Sequence, residues 1–236
     1  GIGGAFLALY QTVFGLVQSV VLLAKEKPDL VIGSGGYVCV PVVLAASFLR
    51  IPAILLEQNA IPGKATRLLS RVARKVCVSL PDCRQGLPPG RVVVTGNPVR
   101  QEILSRDRGS ARQGLSLPEG RTCILVSGAS QGAASLNRAV LKALPVWRSQ
   151  EWTVLHLAGP AHVEQVRAQA RGLVSGSTLD YRVIGYQEDM AELYAAADVV
   201  VCRAGATTLA EVMLCTTEAA PEMVNMEGLL RLTLYQ

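Results

Sequence analysis

The chain has 236 residues, enough for one large domain or for two domains that each bury a hydrophobic core. Half of the residues are hydrophobic and 17% are charged, which excludes a disordered tail. The formal net charge of +5 is dispersed, without the Lys and Arg runs of a nucleic-acid groove. An anionic lipid surface or an anionic substrate therefore explains the charge better than a nucleic acid.

The first 24 residues contain no charged side chain and are long enough to span a bilayer as a helix. Polar residues such as Gln11 and Gln18 interrupt this segment, and the charged stretch 25–29 leads directly into a predicted strand. We favour a helix that lies on the sheet of its domain with one face toward a membrane. A fully buried helix and a true membrane span remain the alternatives.

The first part of the chain alternates β-branched runs with helical stretches, which indicates a parallel sheet covered by helices. Strands are predicted at 30–32, 53–56, 76–79 and 92–95, and helices at 41–49 and 63–72. The segment Gly96-Asn-Pro-Val-Arg100 breaks this pattern, because Asn before Pro disfavours a helix. We expect a hinge there, with a first domain over 1–96 and a second over 97–236.

The second part of the chain repeats the alternation. Strands are predicted at 122–127, 152–157, 181–184 and 198–201, and helices at 133–144, 161–171, 189–196 and 207–214. Residues 105–120 are predicted to form an exposed connection. We expect the six cysteines to be buried, reduced thiols, and His156 and His162 to be strand-end or helix-surface residues. Neither a metal nor a cofactor is expected.

Two glycine-rich loops follow predicted strands, at 31–37 and 126–133. In a parallel α/β sheet such a loop presents backbone N–H groups and a helix N-terminus to an anion. The small residues Gly128 to Ala133 favour a diphosphate, with the Ser130 hydroxyl as a further donor. The loop lacks the Lys of a triphosphate-binding P-loop and the full dinucleotide fingerprint, which argues against triphosphate hydrolysis and against NAD.

Three other segments carry polar side chains near predicted strand ends. Glu211, one turn inside a predicted helix, either accepts hydrogen bonds from a ribose diol or is a solvated acid favoured by the helix dipole. Arg100 either reaches a phosphate or forms a salt bridge between the domains. The polar stretch 57–59 is expected to face a ligand cleft.

Five motifs occur in the order of one known family. They begin at Gly35 (Gly-Gly-Tyr), Glu57 (Glu-Gln-Asn-Ala-Ile-Pro-Gly), Val94 (Val-Thr-Gly-Asn-Pro-Val-Arg), Gly128 (Gly-Ala-Ser-Gln-Gly-Ala) and Arg203 (Arg-Ala-Gly-Ala-Thr-Thr-Leu-Ala-Glu). Together they closely resemble MurG-type glycosyltransferases of family 28. The resemblance implies a GT-B fold, an α/β architecture of two Rossmann-like lobes whose parallel sheets face each other across a cleft.

The same resemblance implies a reaction and a location. Family members transfer N-acetylglucosamine, with inversion, from UDP-N-acetylglucosamine to the undecaprenyl-linked acceptor lipid I in peptidoglycan synthesis. They work at the cytoplasmic face of the bacterial plasma membrane as peripheral proteins. The open alternatives are another GT-B glycosyltransferase with a glycolipid acceptor, and a non-catalytic fragment that binds nucleotide or membrane.

The resemblance also assigns site residues by position. The acceptor side falls on Gly35, Gly36 and Tyr37. The donor side falls on Asn59, Arg100, Gly128, Ser130, Gln131, Gln187, Ala206, Thr207, Thr208, Leu209 and Glu211. Within this set the resemblance implies that Glu211 binds the ribose hydroxyls and that Gln187 lies near the uracil.

The chain departs from the family pattern in three places. The family's first glycine-rich loop, which holds a His regarded as a candidate base, would lie upstream of Gly1. Val40 replaces a flexible glycine of the acceptor-side loop, and the sequence diverges from about Cys215 onward. We therefore expect the chain to be incomplete at both ends and not to turn over lipid I by itself.

Overall fold

The computed structural model describes residues 2–215 and 222–225, with side chains described over 12–215. The chain divides into two compact units, Gly1–Pro98 and Val99–Gln236, whereas the sequence predicts the boundary after residue 96. Each unit contains its own parallel sheet, of four strands in the first unit and five in the second. The predicted α/β class with two parallel-sheet lobes is confirmed.

The first unit is a parallel sheet in the order β1-β2-β3-β4. Its elements are α1 (Ile2–Glu26), β1 (Val31–Gly33), α2 (Cys39–Phe48), β2 (Ala53–Glu57), α3 (Lys64–Leu69), β3 (Lys75–Val78) and β4 (Val92–Val94). Two short 3-10 helices, Pro81–Arg84 and Pro89–Arg91, connect β3 to β4. The predicted alternation is confirmed, with element ends shifted by at most three residues.

Helix α1 packs against α2, not directly on the sheet as expected. Its Leu23 is buried in the core of the unit, and Gly15 allows close approach to Pro41 of α2. The other face is apolar and more than half exposed at Val13, Phe14, Val17, Val21 and Leu22. The alternative of a fully buried helix is therefore wrong. Within the described residues, no helix combines the length and the apolar character needed to cross a membrane.

The second unit is a parallel sheet in the order β7-β6-β5-β8-β9. Its elements are α4 (Gln101–Ser105), α5 (Arg108–Gly114), β5 (Thr122–Ser127), α6 (Ala134–Trp147), β6 (Trp152–Leu157), α7 (Val163–Val174), β7 (Asp180–Ile184), α8 (Met190–Ala196), β8 (Val199–Cys202), α9 (Ala206–Leu214) and β9 (Glu222–Asn225). The divergent segment expected after Cys215 lies outside the described residues, apart from the backbone of β9.

Helices cover both faces of this second sheet, because successive residues of a strand point to opposite faces. Ile124 of β5 packs in a cluster with residues of α6 and α7. The next residue, Leu125, packs in a separate cluster with residues of α4, α8 and α9. The chain passes from β5 to β6 on one side and later returns to β8 on the other side of β5. Loops after β5 and β8 therefore diverge, and ligands of open α/β sheets bind at such a point.

The connection over residues 105–120 is mostly exposed, as predicted, but it contains the helix α5, which is not predicted from the sequence. Asp107 caps α5 by accepting a hydrogen bond from the Ser110 amide at 2.7 Å. Arg108 and Arg112 of this helix both pair with Asp198, which precedes β8 (3.2 Å for the Arg112 pair). Local sequence patterns cannot reveal a partner about ninety residues away. From the sequence alone, the charged segment 105–120 therefore has the composition of a solvated loop.

A buried chain of hydrogen bonds lies beneath the end of β6, where His156 is the last residue but one, as expected for a strand-end residue. His156 is fully buried, with Nδ1 2.6 Å from the Tyr181 hydroxyl and Nε2 3.0 Å from Asn137 Oδ1. Asn137 Nδ2 donates to the Ala158 carbonyl at 2.9 Å, so its Oδ1 must accept the proton on Nε2. Burial lowers the pKa of His156 to about 4, which keeps the imidazole neutral near pH 7.

The loop after β5 lies directly against the backbone that follows β6. Gly132 and Gly159 have φ values of +75° and +94°, which favour glycine. A Cβ on Gly132 would lie 2.0 Å from the Ala158 carbonyl oxygen, and a Cβ on Gly159 would lie 2.3 Å from the Gln131 carbonyl oxygen. This contact is possible only because both residues lack a side chain. It fixes the loop after β5 at the carboxyl edge of the sheet.

We predict that Gly132→Ala destabilises the second unit more than Gly176→Ala does. Gly176 has a similar φ of +66° but open space around its Cβ position, so its substitution costs only the backbone strain, about 1 kcal/mol. Gly132→Ala adds a steric clash and should cost about 1–3 kcal/mol more. The free energy of unfolding is measured in urea through Trp147 and Trp152, the two tryptophans of the chain. Equal losses for the two variants would contradict the close backbone contact.

Candidate functional site

A cavity of about 290 Å³ opens at the carboxyl edge of the second sheet. Residues that follow β5, β6 and β7 meet residues of α8 and α9 around it. Its lining includes Arg100, Ser130, Gln187, Tyr194, Thr208 and Glu211. The position agrees with the general rule that open parallel sheets bind ligands outside the carboxyl ends of their strands.

The loop after β5 presents backbone groups beside this cavity. Ala129 has a φ of +66°, rare for a residue with a side chain, and the Gly132 amide donates to the Ala129 carbonyl at 2.9 Å. Helix α6 begins at Ala134, and within the described residues no side chain caps its first turn. Amide groups at an uncapped helix N-terminus favour an anion through hydrogen bonds and the helix dipole.

A carboxylate and two hydrogen-bonding side chains meet on another wall of the cavity. Glu211 Oε2 accepts a hydrogen bond from the Tyr194 hydroxyl at 3.2 Å. Its Oε1 lies 3.8 Å from Nη2 of Arg100, whose Nη1 is 3.5 Å from the Glu188 carbonyl oxygen. The Glu211 side chain is 13% exposed and that of Arg100 is 52% exposed. Arg100 therefore forms an ion pair with a carboxylate of its own unit.

A second cavity, of about 260 Å³, lies beside the first and shares Ser127, Ala129 and Thr208 with it. Arg203, which directly follows β8, lines this cavity and donates from Nη2 to the Gly128 carbonyl at 3.3 Å. Helix α9 begins just beyond, after Gly205. The cavity thus lies between the loops that follow β5 and β8, where the strand order changes direction.

The donor-side residues named from the resemblance fall into three groups. Those that line the first cavity are Arg100, Ser130, Gln187, Thr207, Thr208 and Glu211. Those in the same loop or helix that do not line it are Gly128, Gln131, Ala206 and Leu209. Asn59 belongs to the first unit.

In the first unit, a buried carboxylate organises the loop after β2. Glu57 accepts hydrogen bonds from the Asn59 amide (3.1 Å), from Asn59 Nδ2 (2.8 Å) and from the Gly63 amide (2.9 Å). Burial opposes ionisation of Glu57, but bonds from Thr66, Gly63 and Asn59 outweigh it and lower the pKa of the carboxyl below its ordinary value. Glu57 thereby fixes the exposed Asn59 side chain.

The expected acceptor residues lie in the loop between β1 and α2. Gly35 and Gly36 have φ values of +92° and +76°, and Tyr37 is 75% exposed. Val40 lies in the first turn of α2, which begins at Cys39. The loop therefore presents one aromatic side chain on a backbone that only glycine adopts readily.

The site residues expected from the sequence leave out several that line the two cavities, among them Tyr186, Met190, Tyr194 and Arg203. Arg203 and Tyr186 lie just beyond predicted strands, and this position at the carboxyl edge of a parallel sheet is a usable signal. Met190 and Tyr194 carry no such signal, because only the folded chain brings α8 to the cavity. No group of three or more His, Cys, Asp or Glu in the described part of the chain is arranged to hold a metal ion.

Comparisons with known proteins agree with this architecture. Residues 2–78 match the glycosyltransferase family 28 N-terminal domain, and residues 123–219 match the family 28 C-terminal domain. The chain is 38% identical over 198 residues to a Bacillus subtilis protein named UDP-N-acetylglucosamine--N-acetylmuramyl-(pentapeptide) pyrophosphoryl-undecaprenol N-acetylglucosamine transferase, with 84% of this chain and 54% of that protein covered. It therefore spans about half the length of the curated relatives that it matches.

Two solved structures are similar over most of the chain. The crystal structure of Acinetobacter baumannii MurG has a TM-score of 0.66 and 26% identity, over 97% of this chain and 71% of that one. A UDP-GlcNAc 2-epimerase from Neisseria meningitidis, bound to UDP-GlcNAc, has a TM-score of 0.61 at 16% identity over 86% of this chain and 61% of that one, and shares the fold alone. Both halves of the chain match one family in order, and the chain belongs to glycosyltransferase family 28.

Proposed function

We propose that the chain is part of an inverting hexosyltransferase that moves N-acetylglucosamine from UDP-N-acetylglucosamine to the undecaprenyl-linked lipid I. The observation that carries this proposal is the cavity of the second unit, where Ala129 and Ser130, in the loop that leads to the uncapped start of α6, line one site with Arg100 and Glu211. The names of the relatives supply the sugar donor and the lipid acceptor.

In this proposal the diphosphate of the donor binds at the loop Gly128 to Ala133. The amides at the start of α6 and the Ser130 hydroxyl donate to its oxygens, and Arg100 adds a positive charge. The backbone amides are held in place by the fold before the UDP-sugar binds, so they stabilise negative charge on the departing UDP as the sugar bond breaks.

The nucleoside is bound on the opposite wall of the same cavity. Glu211 accepts hydrogen bonds from the ribose hydroxyls, which would compete with its ion pair to Arg100. A half-exposed ion pair is weak, so ligand binding can release Arg100 toward the diphosphate at little cost. Gln187 and the aromatic Tyr186 line the part of the cavity that would hold the uracil.

We predict that Arg100→Ala weakens UDP binding to the 236-residue chain about tenfold or more, as expected for the loss of a charge-assisted contact. Ser130→Ala should weaken it by a smaller factor, because a neutral hydrogen bond contributes less. Isothermal titration calorimetry measures both. Arg171→Ala is the matched control, since it removes the same charge from an exposed position on α7 that lines neither cavity. UDP affinity that is equal in Arg100→Ala and Arg171→Ala would contradict this donor site.

We also propose that the protein attaches as a peripheral protein to the cytoplasmic face of the plasma membrane through α1. An undecaprenyl-linked acceptor stays in the bilayer, so the enzyme must approach the membrane surface. The exposed apolar face of α1 provides the contact, with Lys25 and Lys27 beyond its hydrophobic part to meet anionic headgroups.

The membrane proposal predicts that the chain floats with vesicles of phosphatidylethanolamine and phosphatidylglycerol and is released by carbonate. The double variant Val17→Asp, Val21→Asp should bind these vesicles at least about tenfold more weakly, because two side chains lose their apolar contact. Val146→Asp, an exposed valine of α6 in the second unit, is the matched control. Retention after carbonate, or equal binding by the double variant and the control, would contradict peripheral attachment through α1.

A further inference from the structure

Tyr194 is a buried residue at the cavity whose hydroxyl contacts a site carboxylate. It lies on α8, is 2% exposed and packs in the core cluster that joins α8 and α9 to the sheet. Its ring therefore has a fixed position. The hydroxyl is 3.2 Å from Glu211 Oε2, on the helix that follows in the chain.

The direction of this hydrogen bond follows from the protonation state of the two groups. Burial, together with the negative charge of Glu211, raises the pKa of the Tyr194 phenol far above its ordinary value. The phenol thus keeps its proton wherever the protein is folded, and an ionised carboxylate can only accept. Tyr194 is consequently a permanent donor to Oε2.

The two oxygens of Glu211 differ in how firmly they are held. Oε2 accepts a hydrogen bond from the hydroxyl of Tyr194, whose ring is buried in the core. Oε1 lies 3.8 Å from Nη2 of Arg100, whose side chain is half exposed. A ligand hydroxyl can replace Arg100 without disturbing the contact to Tyr194. Rigid support of this kind is what keeps a binding group in its productive orientation.

We propose that Tyr194 is a positioning residue that orients Glu211 for the ribose, and that it thereby increases the preference for ribonucleotide over 2′-deoxyribonucleotide. This inference rests on the proposed function, in which Glu211 accepts hydrogen bonds from the ribose of a uridine nucleotide. Tyr194 itself does not touch the nucleotide in this arrangement. It acts through the orientation of the carboxylate.

The test compares the affinities of UDP and 2′-deoxy-UDP for the full chain by calorimetry. Tyr194→Phe keeps the ring and removes the donor, so UDP binding should weaken and the UDP to 2′-deoxy-UDP affinity ratio should fall about threefold or more. Glu211→Gln should lower the same ratio. Adding Tyr194→Phe to Glu211→Gln should not lower it further, because the two residues act as one unit.

Tyr181→Phe is the matched control. It also removes a buried tyrosine hydroxyl from the second unit, but that hydroxyl bonds to His156 and does not reach Glu211. Its affinity ratio should equal that of the wild type. Any general loss of stability affects both nucleotides alike and leaves the ratio unchanged.

The outcomes distinguish the role of Tyr194 from the existence of the proposed nucleotide site. An unchanged ratio in Tyr194→Phe, with a reduced ratio in Glu211→Gln, would overturn the role of Tyr194 alone. No UDP binding by the wild type, or an unchanged ratio in Glu211→Gln, would overturn the proposed nucleotide site and this inference with it. A ratio that falls in Tyr194→Phe and not in Tyr181→Phe supports the proposal.

Discussion

The contact of Gly132 with the Ala158 carbonyl is the constraint on which the rest of the second unit depends. A Cβ atom at Gly132 or Gly159 would lie 2.0 to 2.3 Å from a carbonyl oxygen. The two backbone segments can therefore contact each other only if both positions are glycine. This contact sets where the loop after β5 turns and where α6 begins. The direction of the first amides of α6, and therefore the position of the proposed anion site, follows from it.

The interior of the unit supports the same contact from below. Asn137, one turn into α6, donates to the Ala158 carbonyl, and His156 and Tyr181 hold Asn137 in turn. Each of these polar groups has a partner, which is the condition for burying them without a large cost. Helix α6, strand β6 and strand β7 are thus joined by one chain of hydrogen bonds that ends at the loop.

Local patterns in the sequence were sufficient to predict most of the fold. The strands 122–127 and 152–157 have the predicted bounds, because continuous apolar runs between Gly-rich or charged segments mark buried parallel strands. Helix α5 was not predicted, because Arg108 and Arg112 form ion pairs with Asp198 only in the folded chain. The hydrogen bonds of His156 were not predictable for the same reason, because its partners are on α6 and β7.

The candidate site was predictable where its residues follow strands. Ser130 and Gln187 lie after β5 and β7, and Glu211 lies on the helix that follows β8, so topology alone brings them to one edge. Tyr194 was not predicted because it lies in the middle of α8, where a tyrosine is usually an ordinary core residue. Its role depends on the distance to Glu211, which no spacing in the sequence encodes.

Hydrogen exchange of the backbone amides with and without UDP tests the central claim most directly. If the loop after β5 and the start of α6 hold the diphosphate, UDP should slow exchange at the amides of residues 130–136, and uridine, which lacks phosphate, should leave them unchanged. Protection of these amides by uridine as strong as that by UDP, or UDP protection confined to other segments, would contradict the account.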